Sequence, residues 1–136
     1  MLDRLDRLAP YGLALLRIVA GLIFVPHGLQ KLFGFPAPPP NGLPAAFTLL
    51  WFGAVLELVG GTLVALGLFT RPVAFILSGE MAVAYWMFHA PRNLYPTLNG
   101  GDAAILYCFV FLLLACAGPG AWSLDGARRS TRASFA

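Results

Sequence analysis

The sequence predicts an all-α integral membrane protein: a four-helix antiparallel bundle with both termini cytoplasmic. Three observations predict it. Hydrophobic residues make up 59% of the 136-residue chain and charged residues only 11%, with a mean hydropathy of +0.77. Soluble domains carry about 25% charged residues, so this chain cannot cover a water-facing surface. Its apolar residues also gather into four runs, and its basic residues fall mostly at one end of those runs.

The runs are taken in chain order. The first helix is expected over about 11–33, the second over about 45–69, the third over about 72–89 and the fourth over about 102–118. A spanning helix needs roughly 20 mostly apolar residues, so four fit in one membrane domain covering 1–136. PAPPPNGLP (36–44) reads as an extended, proline-stiffened loop. Thr70-Arg71-Pro72 reads as a tight turn, with Pro72 opening the third helix. HAPRNLYPTLNGG (89–101) separates the last two helices, and GPG (118–120) ends the fourth. Residues 119–136 read as a polar tail, frayed or interfacial. The N-terminus reads as retained, because Arg17 breaks its apolar run and no small-x-small cleavage site follows.

With four spans both termini share one side. That side carries Arg4, Arg7, Arg71, Arg128, Arg129 and Arg132, whereas the other carries Lys31 and Arg92. The positive-inside rule therefore makes the termini cytoplasmic. The net charge of +3 suits anionic lipid. Outside these membrane flanks there is no basic stripe, which argues against a nucleic-acid partner. Cys108 and Cys116 lie on one helix about 12 Å apart in rise. That is too far for a mutual disulfide. With no CxxC present, they read as small packing residues rather than a thiol oxidoreductase centre.

The charges inside the apolar runs carry the functional argument. An ionisable group in hydrocarbon is costly and usually faces the bundle interior with a partner. Arg17, Gly21, Phe24, Gly28 and Lys31 share one stripe of the first helix, and its glycines invite a close neighbour. Pro26 frees a carbonyl and predicts a kink before His27. Glu57 lies midway along the second helix, with Gly53, Gly60 and Gly61, and Glu80 lies midway along the third. Counted from the cytoplasmic end, Arg17 and the two acids are expected at similar depth, as one cluster. Two acids for one cation would leave a transferable proton, so Glu57, Glu80 and Arg17 are the catalytic candidates. A purely structural ion pair is the competing reading.

A second polar group is expected toward the outer face. It holds His27, Lys31, His89, Asn99 and Asp102, with Tyr85, Trp86, Tyr95 and Tyr107 nearby. Aromatics at this level form an interfacial belt. With the two histidines they could also line a quinone-head pocket, which needs donors at its carbonyls and an aromatic wall. Two histidines and one aspartate have no specific metal-site spacing, and no metal is assigned.

The ordered residues Arg17…Gly21…Phe24…His27-Gly28…Lys31-Leu32…Gly34, Glu57…Gly60-Gly61, Glu80, NGGDAAILY (99–107) and GPGAWSLD (118–125) resemble the DoxX family of small bacterial membrane proteins. The resemblance covers nearly the whole chain. Relatives often carry glutamate where this chain has Asp102. The family is similar to the small membrane subunit of thiosulfate:quinone oxidoreductases, and other members are linked to thiol and oxidative-stress defence. The resemblance thus implies a quinone-linked redox protein. Two other classes stay open: a non-catalytic membrane partner for a soluble redox enzyme or second membrane subunit, and a proton-coupled small-solute carrier. No inverted repeat supports the carrier. A homo-oligomer is compatible with any of them.

The topology is checked by cysteine labelling. A cysteine placed in the 36–44 loop, with Cys108 and Cys116 replaced, is expected to react with an impermeant maleimide on intact cells. Reaction only after permeabilisation would reverse the assigned orientation.

Overall fold

A computed structural model describes residues 2–133, and all of its regular structure is helical. The side chains of Arg4 and Arg132, counted above toward the basic asymmetry, lie outside the described residues. Six helices follow in order: α1 (Leu2–Phe33), α2 (Leu49–Leu66), α3 (Thr70–Ala84), α4 (Pro96–Asn99), α5 (Asp102–Ala117) and α6 (Leu124–Ala133). α3 runs on into one π-helical turn, Tyr85–His89.

Several boundaries move from expectation, and the tight turn expected at Thr70-Arg71-Pro72 lies instead at 67–69, with Thr70 already the first residue of α3. α1 begins well before residue 11 and stays helical through Pro10 and Pro26. α2 begins at Leu49 rather than 45, because Thr48 turns the chain and its Oγ1 accepts from Trp51 N at 3.4 Å. It stops at Leu66, where Gly67 takes a left-handed conformation (φ +68°) and its N–H reaches the carbonyls of Leu63 and Val64. α1 and α2 are each long and apolar enough to cross a membrane, and α5 is a shorter apolar helix.

α1 and α2 pack antiparallel at backbone contact. A Cβ added to Gly21 would lie 2.7 Å from Ala65 N and Gly61 O, and one added to Gly28 would lie 2.6 Å from Ala54 O and Leu58 N. The predicted glycine stripe is therefore the seam, and bulk there would force the helices apart. Leu77 of α3 fills the space beside Gly60, and Ser78 Oγ donates to Cys108 O of α5 at 2.8 Å. Phe24, Val64, Leu77, Met81, Phe111 and Leu114 close the core. Outside it, large apolar side chains such as Leu22, Phe75, Leu106 and Phe109 are exposed, as a lipid-facing surface requires.

Arg17 is fully buried, but not beside the acids. Its Nε–H donates to Pro119 O (2.8 Å), its Nη1 to Val64 O (2.9 Å) and Ala65 O (2.5 Å), and its Nη2 to Ala121 O (3.2 Å) and Trp122 O (2.8 Å). Five N–H donors meet five carbonyls, two of them at the C-terminus of α2, where the helix dipole favours a cation. The expected cluster of Arg17 with Glu57 and Glu80 is thus corrected. Depth was misjudged because α1 starts earlier and overhangs α2. Gly28 lies level with Glu57, about 16 Å up the helix from Arg17.

The tail expectation is corrected too. Residues 118–125 are docked rather than frayed: Ala121 N donates to Pro10 O and Asp125 N to Gly67 O, both at 2.9 Å. The Asp125 carboxylate accepts from Phe69 N (2.9 Å) and Thr70 N (2.8 Å), capping α3 from the far end of the chain. Burial raises its pKa, but these backbone N–H groups and Arg129 outweigh that and hold it below the usual carboxylate range. Arg71 donates to the carbonyls of Ala115, Cys116 and Ala117, closing the C-terminus of α5.

Arg17→Met is expected to lower stability by at least about 3 kcal/mol, because five carbonyls lose a charged donor together. Arg17→Lys should recover little, since an ammonium lacks the planar fork. Adding Glu57→Gln and Glu80→Gln to Arg17→Met should not rescue it. Thermal unfolding in detergent reads all three, and a rescue would restore the Arg17–acid pairing.

Candidate functional site

Glu57 meets Lys31 instead. Lys31 Nζ lies 2.5 Å from Glu57 Oε1, with side chains 31% and 4% exposed. The local sequence explains the pairing. Lys31 follows Gly28 by one turn, so the stripe that brings α1 against α2 also aims the ammonium at Glu57. Glu80 joins from α3. A Cβ on Gly53 would stand 3.1 Å from Glu80 Oε1, so that glycine makes room for the second carboxylate against α2. One oxygen of each acid, Glu57 Oε2 and Glu80 Oε2, is buried with no hydrogen-bond partner among the described residues. Lys31 thus pairs with one of two neighbouring carboxylates, and two acceptor oxygens stay unsatisfied where almost every buried polar atom is paired.

The remaining outer residues separate into two places. His89 Nδ1 lies 3.1 Å from Asn99 O. A carbonyl only accepts, so this bond requires the proton on Nδ1 and leaves Nε2 as the ring's acceptor when neutral. Asn99 is 4% exposed and ties the loop together. Its Nδ2 donates to Asn93 O (2.9 Å) and Tyr85 Oη (3.4 Å), and its Oδ1 accepts from Gly101 N (2.7 Å). Asp102 is exposed at the start of α5. His27 is exposed on another face of α1, its ring 6.1 Å from that of Tyr107 and 6.2 Å from that of Phe24. The expected five-residue group is therefore three neighbourhoods: Lys31 with the acids, His27 with Tyr107, and His89 with Asn99 in the loop.

Beside Tyr107, the sequence reading did not find an apolar groove. It has a volume of about 270 Å³ between α1 and α5, lined by Val19, Ala20, Ile23, Leu106, Tyr107 and Val110 among others. The sides of α1 and α5 that form it are apolar apart from Tyr107, so nothing in the pattern distinguishes a groove wall from a lipid-facing side. Among the described residues, no group of three or more His, Cys, Asp or Glu side chains could hold a metal ion.

Exposed apolar flanks around a core that holds paired and unpaired charges define a small helical integral membrane protein. The DoxX family model matches residues 12–90, and the chain belongs to the DoxX family. It is 42% identical over 128 residues to a Haemophilus influenzae protein, covering 91% of this chain and 96% of that one. It is 32% identical over 126 residues to the inner membrane protein YphA of Escherichia coli, covering 85% and 89%. A Bacillus subtilis protein, CatD, provisionally named an oxidoreductase, is 38% identical over 71 residues, 49% of this chain and 52% of that one. No solved structure matches. These relatives and the spanning helices place the protein in the bacterial inner membrane.

Lys31→Met should destabilise more than the Lys31→Met, Glu57→Gln pair, because the single change strands an acid that the double change removes. A coupling energy of about 0.5–3 kcal/mol is expected from a double-mutant cycle. Additive losses would separate the two residues.

Proposed function

We propose that this DoxX protein is a four-helix bundle with cytoplasmic termini that binds a quinone and serves quinone-coupled redox chemistry, including thiol or oxidative-stress defence. The observation that carries the reading is the Lys31–Glu57–Glu80 group with its two unsatisfied carboxylate oxygens. Reducing a quinone to a quinol takes two electrons and two protons. A buried carboxylate pair sharing one cation is suited to hold and pass a proton. The electrons come from a soluble redox enzyme, or a second membrane subunit, docked at the cytoplasmic edge.

In this reading the quinone head lies against His27 and Tyr107, each offering one hydrogen bond to a carbonyl oxygen, and the isoprenoid tail follows the α1–α5 groove. Lys31 orients Glu57. His89, Asn99 and Asp102 form the outer rim, with the Nε2 of His89 as a second proton acceptor. The name of the CatD relative supports a redox role. The ion pair at Lys31–Glu57 also makes structural sense by itself, and that favours a second reading, a non-catalytic docking partner.

Titrating the purified protein with a short-chain quinone separates the two. Saturable binding is expected. His27→Ala and Tyr107→Phe should each weaken it by roughly tenfold, the worth of about one hydrogen bond. His89→Ala should weaken it less. Glu80→Gln should leave binding intact but slow proton uptake during reduction. Absence of saturable binding by the wild-type protein makes the docking reading the better one.

A further inference from the structure

At the opposite end of the molecule a cleft of about 360 Å³ opens between the start of α3, the end of α5 and α6. Phe69, Arg71, Pro72, Asp125, Arg128 and Arg129 line it. Three guanidinium groups face one carboxylate, and that carboxylate is already committed. Both Asp125 oxygens accept from the backbone at the N-terminus of α3. The cleft is therefore cationic.

Its donors are only partly used. Arg71 gives three hydrogen bonds to the end of α5, all from Nη1 and Nη2, and its Nε–H has no partner among the described residues. Arg128 places its Cζ over the Phe69 ring at 5.3 Å from the centroid, a cation–π contact. A cation–π contact draws on the charge of the group and uses none of its N–H donors. Planar forks around a small concavity match the oxygens of a phosphate.

The surroundings say which phosphate. Pro72 lies on the cleft wall, and the α3 stripe above it continues through Phe75, Ile76 and Gly79, all exposed. Phe75 is 68% and Ile76 52% exposed, and Phe69 at the mouth is 53% exposed. A basic cleft thus opens directly onto an exposed apolar track along α3. A free anion would use only the cleft, whereas a phospholipid would use both.

We propose that this cleft is a specific site for the phosphodiester of an anionic phospholipid, whose acyl chains lie along Phe75 and Ile76. The site does not depend on the quinone reading. It does more than orient the chain: diffuse basic charge attracts anionic lipid without choosing a position, while this cleft fixes one headgroup between three arginines.

Native mass spectrometry of protein released from nanodiscs holding phosphatidylglycerol and phosphatidylethanolamine tests it. The wild type is expected to retain phosphatidylglycerol selectively, and excess inorganic phosphate should not displace it. Arg128→Gln with Arg129→Gln should cut retention by about 30-fold, from roughly 1 kcal/mol per arginine. Arg128→Lys with Arg129→Lys keeps the charge but loses the forks, and should also lose most of the selectivity. Full retention by the lysine pair would reduce the site to diffuse charge and overturn the proposal. So would equal retention of both lipids, or displacement by phosphate alone. A wild-type measurement guards against misfolded variants: added phosphatidylglycerol should raise the unfolding temperature more than phosphatidylethanolamine does.

Discussion

The structure depends on one guanidinium. Arg17 is fully buried in α1, and its five donors reach the end of α2 and the 119–122 segment at once. Hydrocarbon offers no water for the last carbonyls of a helix or for an irregular loop, so protein donors must satisfy them. Arg17 does this for two elements distant in sequence. Because the segment is held, Asp125 sits where it can cap α3, and α3 carries Arg71 to the end of α5. One end of the molecule is thus fastened by three charged side chains that bond to backbone, not to each other. A charge bonded to helix-end dipoles avoids the second desolvation penalty of an ion pair.

The glycine seam supports the other half of the molecule. Backbone contact at Gly21 and Gly28 fixes the rotation of α1 against α2, and that rotation decides where Lys31 points. Had larger side chains held the helices apart, an ammonium one turn beyond Gly28 would not reach Glu57 at 2.5 Å. Gly53 plays the same part for Glu80. Small residues therefore position the charges while presenting no chemistry themselves.

This division explains what could be read from the chain. Hydropathy locates α1, α2, α3 and α5 to within a few residues, apart from the start of α1, and the spacing of Gly21, Gly28 and Lys31 locates the seam. Both are periodic properties of one segment. The partner of Arg17 was misread because a backbone carbonyl has no signature in sequence, whereas a glutamate does. Counting charges pairs acids with bases and overlooks helix ends. α6 was read as a frayed tail because its polarity gave no sign of the caps at Gly67 and Asp125 that hold the segment leading into it. His27 and His89 were joined because both close helices at one level. Level says nothing about azimuth, and the two rings face different neighbours, Tyr107 and Asn99.

Most buried polar groups then have a structural reason to exist. Arg17 closes a helix, Asn99 holds a loop, Ser78 ties α3 to α5, and Glu57 is answered at one oxygen by Lys31. Glu80 is different. No hydrogen bond satisfies its buried oxygen among the described residues, it adds a second carboxylate to a site with one ammonium, and Gly53 leaves space for it. A leucine at that position would fill the same volume without an unsatisfied acceptor, which costs roughly 1–3 kcal/mol. The fold shows no hydrogen bond made by the acid among the described residues. Stability therefore does not account for Glu80, and the proton-transfer role we propose for it would. That is why the functional reading rests on this residue rather than on the more deeply buried Arg17, whose whole bonding capacity is consumed by architecture.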